Sequence, residues 1–68
     1  MRIGFIGCGN MATAMIKGIL DSGKVTTEQM IASAKSDQTR EKISSKLGIV
    51  AAKTNVEVVD FADVVFLA

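Results

Sequence analysis

These 68 residues predict an α/β domain built on a parallel sheet, and three observations carry that expectation. A short apolar run, Arg2 to Ile6, enters a glycine pair at Gly7 and Gly9, and a helical pattern opens straight after it. Apolar runs and helical patterns then alternate to the last residue in the order βαβαβαβ. The first run is nearly continuous in apolar character, as expected of a parallel strand covered on both faces. Right-handed crossovers then give the strand order 3-2-1-4, a partial doubly wound sheet. Ligands of such sheets bind outside the carboxyl ends of the strands where the order reverses.

Each element has its own local reason. The first strand is Arg2 to Ile6, and Gly7-Cys8-Gly9 is its turn. A helix over about Asn10 to Ser22 carries Ala12, Met15, Ile16 and Ile19 at the spacing of one buried stripe, with Lys17 and Asp21 facing water. Gly23 is suited to the left-handed position after it. Thr26 and Gln29 match a capping box, which predicts one helical turn ahead of strand two, Met30 to Ala34. A second helix starts at Ser36 or Asp37 and runs to Leu47, stopping at Gly48. Its apolar stripe is thin, Ile43 and Leu47, so it lies on the sheet as a surface helix. Strand three is Ile49 to Ala52. Thr54 with Glu57 is a second capping box and opens a short helix through Val58, Val59 and Phe61. Val64 to Ala68 is strand four, read as buried.

Composition narrows the functional classes. Apolar residues make up 49% of the chain but aromatic ones only 4%, which predicts a core of Ile, Val, Met and Ala. The net charge is +1, from 8 basic and 7 acidic residues mixed along the chain. Without a basic stripe, neither nucleic acid nor an anionic membrane surface is an expected partner. No apolar run reaches the roughly 18 residues of a membrane span, and the start lacks a signal-peptide pattern. With a single cysteine, Cys8, the expected compartment is the cytoplasm. The chain has no histidine, the commonest general acid/base and metal ligand, and no metal site is expected. It stops inside its most apolar segment. The expectation is therefore that residues 1–68 are the N-terminal part of a longer enzyme, truncated after the fourth strand.

The glycine turn is where chemistry is expected. Gly7 permits a sharp exit from the strand, Gly9 lets backbone approach a phosphate, and Ala12 takes the third small position, where helix packs close to strand. The N–H groups of Cys8 to Met11 lie at a positive helix end that favours an anion. This is the Rossmann-like fingerprint in its proper setting, with strand before and helix after. Cys8 lacks a histidine to act as base and is read as a small filler rather than a nucleophile. At the end of strand two the usual acceptor for a ribose 2′-hydroxyl is Asp or Glu. The chain reads Ser33-Ala34-Lys35-Ser36 instead. Ser33, Lys35, Ser36 and Arg40 are candidates to receive a 2′-phosphate, so NADP(H) is the preferred cofactor, with NAD(H) admitted. Asn55, after strand three, is either a rival N-cap to Thr54 or a polar contact to cofactor.

The string Gly4-Phe5-Ile6-Gly7-Cys8-Gly9-Asn10-Met11-Ala12, followed by Ala14, Ile16 and Gly18, resembles the start of the pyrroline-5-carboxylate reductase family. The likeness continues through Ile31-Ala32-Ser33, Asn55 and the segment Asp63 to Ala68. It implies an enzyme that passes a hydride from NAD(P)H to the C=N bond of 1-pyrroline-5-carboxylate, giving L-proline, the last step of proline biosynthesis. It implies cofactor contacts from Ile6, Gly7, Cys8, Gly9, Asn10 and Met11. Ser33, Ala34 and Lys35 would face the adenosine ribose, Asn55 would touch the cofactor, and Ala68 would begin a further loop beside it. Cys8 stands where alanine is commoner. The resemblance also implies a small imino-acid substrate and a homo-oligomer formed through a helical C-terminal domain that these residues do not include. No catalytic residue carries over. A related imine or hydroxyacid dehydrogenase, or a non-catalytic nucleotide-binding module, would share the same half-domain. Alone, residues 1–68 are expected to be inactive, weakly stable and prone to associate along the open edge of strand four.

Overall fold

The computed structural model describes residues 1–67. Its elements follow in the order β1 (Ile3–Ile6), α1 (Asn10–Asp21), a single 3₁₀ turn (Thr27–Gln29), β2 (Met30–Ser33), α2 (Asp37–Lys42), β3 (Val50–Ala52), α3 (Asn55–Phe61) and β4 (Val64–Leu67). The four strands form one sheet in the order β3-β2-β1-β4, with every pairing parallel. This is the doubly wound order expected from the alternation of patterns. The register sets Ile6 beside both Ser33 and Leu67, and Ser33 beside Ala52. The carboxyl ends of all four strands therefore share one edge, and that edge carries the candidate site.

Alternation along the strands sends side chains to two cores. Ile3 and Phe5 of β1, with Met30 and Ala32 of β2, meet Ala12 and Ile16 of α1, Ile43 and Leu47 of the second helical segment, and Ile49 just before β3. Here the second helical segment is α2 with its π-helical continuation Ile43–Leu47. On the other face Ile31 and Ala52 pack against Val58 of α3, with Ile6, Phe61 and Val65 half-buried around them. Gly4 is what allows α3 to lie flush on β1. A Cβ there would meet Val58 Cγ1 at 2.6 Å and Ala62 Cβ at 2.9 Å. Arg2 ties the last crossover to β1: its carbonyl accepts from the N–H groups of Asp63 and Val64, its own N–H donates to Asp63 Oδ2, and its guanidinium lies 5.0 Å from the Phe61 ring centroid.

Three local expectations are corrected. Met15 is 43% exposed rather than part of the α1 stripe, which runs instead through Ala12 and Ile16 with Ile19 and Leu20 half-buried. Thr13 and Lys17 line a groove shared with the second helical segment. Met15, two residues from each, falls about 200° round the helix from them and looks away from that neighbour. Second, the helix does run to Leu47 and stop at Gly48, which takes the left-handed conformation, but over Ile43–Leu47 it widens from α- to π-helical turns. The hydroxyls of Ser44 and Ser45 both donate to the carbonyl of Glu41, at 3.2 and 2.7 Å. Such back-bonding competes for the i−4 acceptor and disturbs regular α-helical pairing. Third, β4 is not buried: Val64, Phe66 and Leu67 are exposed, although Phe66 stacks on Phe5 with ring centroids 5.3 Å apart. Among the described residues β4 pairs only with β1, so its outer edge stands open.

Candidate cofactor-binding site

The site begins where β1 ends. Gly7 turns the chain at φ 89°, a left-handed conformation that side chains other than glycine rarely take. Gly9 then serves as N-cap of α1 at φ −88° and ψ −167°, an ordinary extended conformation. Nothing in this backbone calls for glycine at position 9, and a Cβ built there meets no protein atom within 4 Å. The space in front of Gly9 is simply open.

That space faces a helix end without internal partners. The first N–H groups of any α-helix lack intrahelical acceptors. Gly9 offers no side chain to α1, and the first turn contains no acidic residue. The other helix starts differ. Ser36 Oγ accepts the N–H of Thr39 at the start of α2, and Thr54 and Glu57 cap α3 reciprocally. At the 3₁₀ turn Gln29 Oε1 accepts the N–H of Thr26 at 3.0 Å. Sequence-local caps satisfy these ends, while α1 presents free donors and the positive end of its dipole to the groove.

The groove has a volume of about 500 Å³ and brings together Ile6, Gly7, Cys8 and Gly9 with Ser33, Ala34 and Lys35 from the end of β2. Ser36, Thr39 and Lys53 complete its lining, and no carboxylate is among these residues. Asn10 lines instead the adjoining groove between α1 and the second helical segment, together with Lys17, Lys42 and Lys46. Met11 is 81% exposed on the first turn of α1. Cys8 is half-buried against the core, its Sγ 3.7 Å from Thr13 Oγ1. Ala68 lies outside the described residues.

Ser33 is the buried polar residue of this edge, 4% exposed. Its hydroxyl accepts the N–H of Gly7 at 3.2 Å and donates to Asn55 Oδ1 at 2.9 Å. Three strand ends are thereby linked by one side chain. Thr54, not Asn55, caps α3, which leaves Asn55 exposed beside Ser33 with its amide anchored by that hydroxyl.

Three residues read as receivers of a 2′-phosphate are engaged within the fold. Ser33 is held by Gly7 and Asn55. Arg40 donates through Nη1 to the carbonyls of Ala34 and Lys35, at 2.7 and 2.9 Å, and through Nη2 to Asp37. A loop leaving a strand has carbonyls to satisfy, and this arginine satisfies two of them. Ser36 caps α2 and donates to Thr39 Oγ1. Lys35 and Lys53 are exposed beside the groove and make no ion pair among the described residues. Lys53 escaped the sequence reading. Its signal is a cation immediately after β3, on the edge where ligands of parallel sheets bind.

These features suit a dinucleotide: open backbone at Gly9, uncapped donors on α1, and a groove with lysines and no acid. The comparisons with known proteins agree. Residues 2–68 match the family model described as NADP oxidoreductase coenzyme F420-dependent. The chain is 39% identical over 67 residues to pyrroline-5-carboxylate reductase of Escherichia coli, covering 98% of this chain and 25% of the relative. It is 42% identical over 67 residues to the Pseudomonas aeruginosa enzyme of that name (98% and 24%). Against pyrroline-5-carboxylate reductase 3 of Danio rerio it is 41% identical over 68 residues (100% and 23%). The chain thus spans about a quarter of the length of these curated relatives. With its parallel 3-2-1-4 sheet and open glycine turn, it belongs to the NADP oxidoreductase coenzyme F420-dependent family, in a segment similar to pyrroline-5-carboxylate reductases.

Proposed function

We propose that this segment holds NADP(H), and that the protein containing it reduces 1-pyrroline-5-carboxylate to L-proline. The observation that carries the cofactor part is the uncapped N-terminus of α1 behind an unobstructed Gly9. The similarity to the reductases carries the substrate. In this reading the N–H groups of Cys8, Gly9, Asn10 and Met11 bind the pyrophosphate, with Ile6 and Gly7 setting the turn that aims them. Ala34 and Lys35 face the adenosine ribose, and Asn55 and Ala68 are further cofactor contacts. When bound, the reduced nicotinamide supplies the hydride for the C=N bond.

The cofactor preference follows from the charge at the groove. A ribose diol is usually taken by an acidic side chain at the end of β2, and Ala34 and Lys35 stand there. Lys35 and Lys53 instead suit a 2′-phosphate. Calorimetry is expected to show tighter binding of NADPH than of NADH; equal or tighter NADH binding contradicts the preference. The same reading carries a cytoplasmic homo-oligomer acting on a small imino acid. Its test is an assay of the full-length protein with 1-pyrroline-5-carboxylate, following loss of reduced cofactor and gain of proline. Cofactor binding without turnover would reject the reductase while leaving the nucleotide site standing.

A further inference from the structure

We propose that Ser33 is a positioning residue that sets cofactor discrimination by fixing which end of the Asn55 amide is offered to the ligand. The inference rests on the reading that the groove holds a dinucleotide. A serine hydroxyl has one proton and two lone pairs. Here one lone pair accepts the N–H of Gly7 at 3.2 Å, and the proton goes to Asn55 Oδ1 at 2.9 Å. Turning the amide over would place Nδ2 against Ser33 Oγ. The hydroxyl proton would then lose its acceptor at a residue only 4% exposed. Buried polar groups left unpaired are costly, so the proton of Ser33 decides the orientation. Sheet register holds Ser33 itself, between Ile6 and Ala52.

The result is an Asn55 whose Nδ2 group, unpartnered among the described residues, is presented outward as a donor. Lys35 and Lys53 are also donors, as are the first-turn N–H groups of α1, and the groove lining includes no carboxylate. A rim made of donors suits a phosphate ester, which only accepts. It serves a free 2′-hydroxyl less well, because no carboxylate lines the groove to take that group's proton. The same hydroxyl that anchors the Gly7 turn therefore also sets the polarity of the rim.

The test measures dissociation constants for NADPH and NADH on the full-length protein by calorimetry, for the wild type, Asn55→Asp and Ser33→Ala. Asn55→Asp keeps an acceptor for the Ser33 proton but replaces the outward donor with an acceptor. It is expected to melt near the wild-type temperature and to lose about tenfold or more in NADPH affinity, the effect of one hydrogen bond to a charged group. Its NADH affinity is expected to hold or improve. Ser33→Ala frees the amide to turn and is expected to lower the NADPH-to-NADH preference by about fivefold. A Ser33→Ala protein that weakens both cofactors equally, or neither, would show a merely structural serine. An unmoved preference in Asn55→Asp would be equally fatal. A wild-type protein that binds neither dinucleotide would instead bring down the site reading on which the proposal stands.

Discussion

Gly4 and Gly9 are both glycines, but for opposite reasons. Gly4 is small because protein atoms occupy the space a Cβ would need, and Gly9 is small although no protein atom is near. Gly4→Ala is therefore expected to destabilise the fold by about 1–3 kcal/mol, the usual cost of overpacking, read by denaturant unfolding. Gly9→Ala is expected to change stability by about 1 kcal/mol or less, the scale of an N-cap exchange, since its backbone is already in a region open to alanine. A large loss in Gly9→Ala stability would mean that the fold, rather than a ligand, requires that glycine. The turn residues Gly7 to Gly9 were legible in the sequence, because their spacing and setting are specific. The engagement of Ser33, Ser36 and Arg40 was not. Which polar side chain serves the backbone and which faces outward depends on loop carbonyls and strand neighbours brought together only by folding.

At the scale of elements, the caps read directly from the chain. Thr54 and Glu57 form the expected box at α3, with the N–H of Glu57 donating to Thr54 Oγ1 at 3.3 Å and Glu57 Oε2 accepting from Thr54 at 3.1 Å. Thr54→Ala is expected to cost about 1 kcal/mol by thermal or chemical unfolding. Because α3 begins at Asn55, the same change is expected to loosen cofactor binding as well. The widened turns over Ile43–Leu47 were not legible, since they arise where serine hydroxyls crowd one carbonyl while Ile43 and Leu47 remain buried. The exposure of Met15 depends likewise on where the neighbouring helical segment lies, which periodicity along one helix does not contain.

For the whole molecule, strand order was legible because connection handedness leaves few arrangements of alternating strands and helices. The open edge of β4 was legible too, but the exposure of its side chains was not, because apolar composition alone does not say which neighbours cover a strand. That edge carries Val64, Phe66 and Leu67 at the surface. A polypeptide of residues 1–68 made alone is expected to self-associate, which sedimentation would detect; a monodisperse monomer with a cooperative melt would contradict this. The central claim is that the open end of α1 binds a dinucleotide through backbone. The most direct measurement is titration calorimetry of NADPH into the full-length protein and its Gly9→Ala variant. The expected result is saturable binding by the wild type, weakened about tenfold or more in a variant that still folds. Equal affinity in the two proteins, or no binding by the wild type, would contradict it.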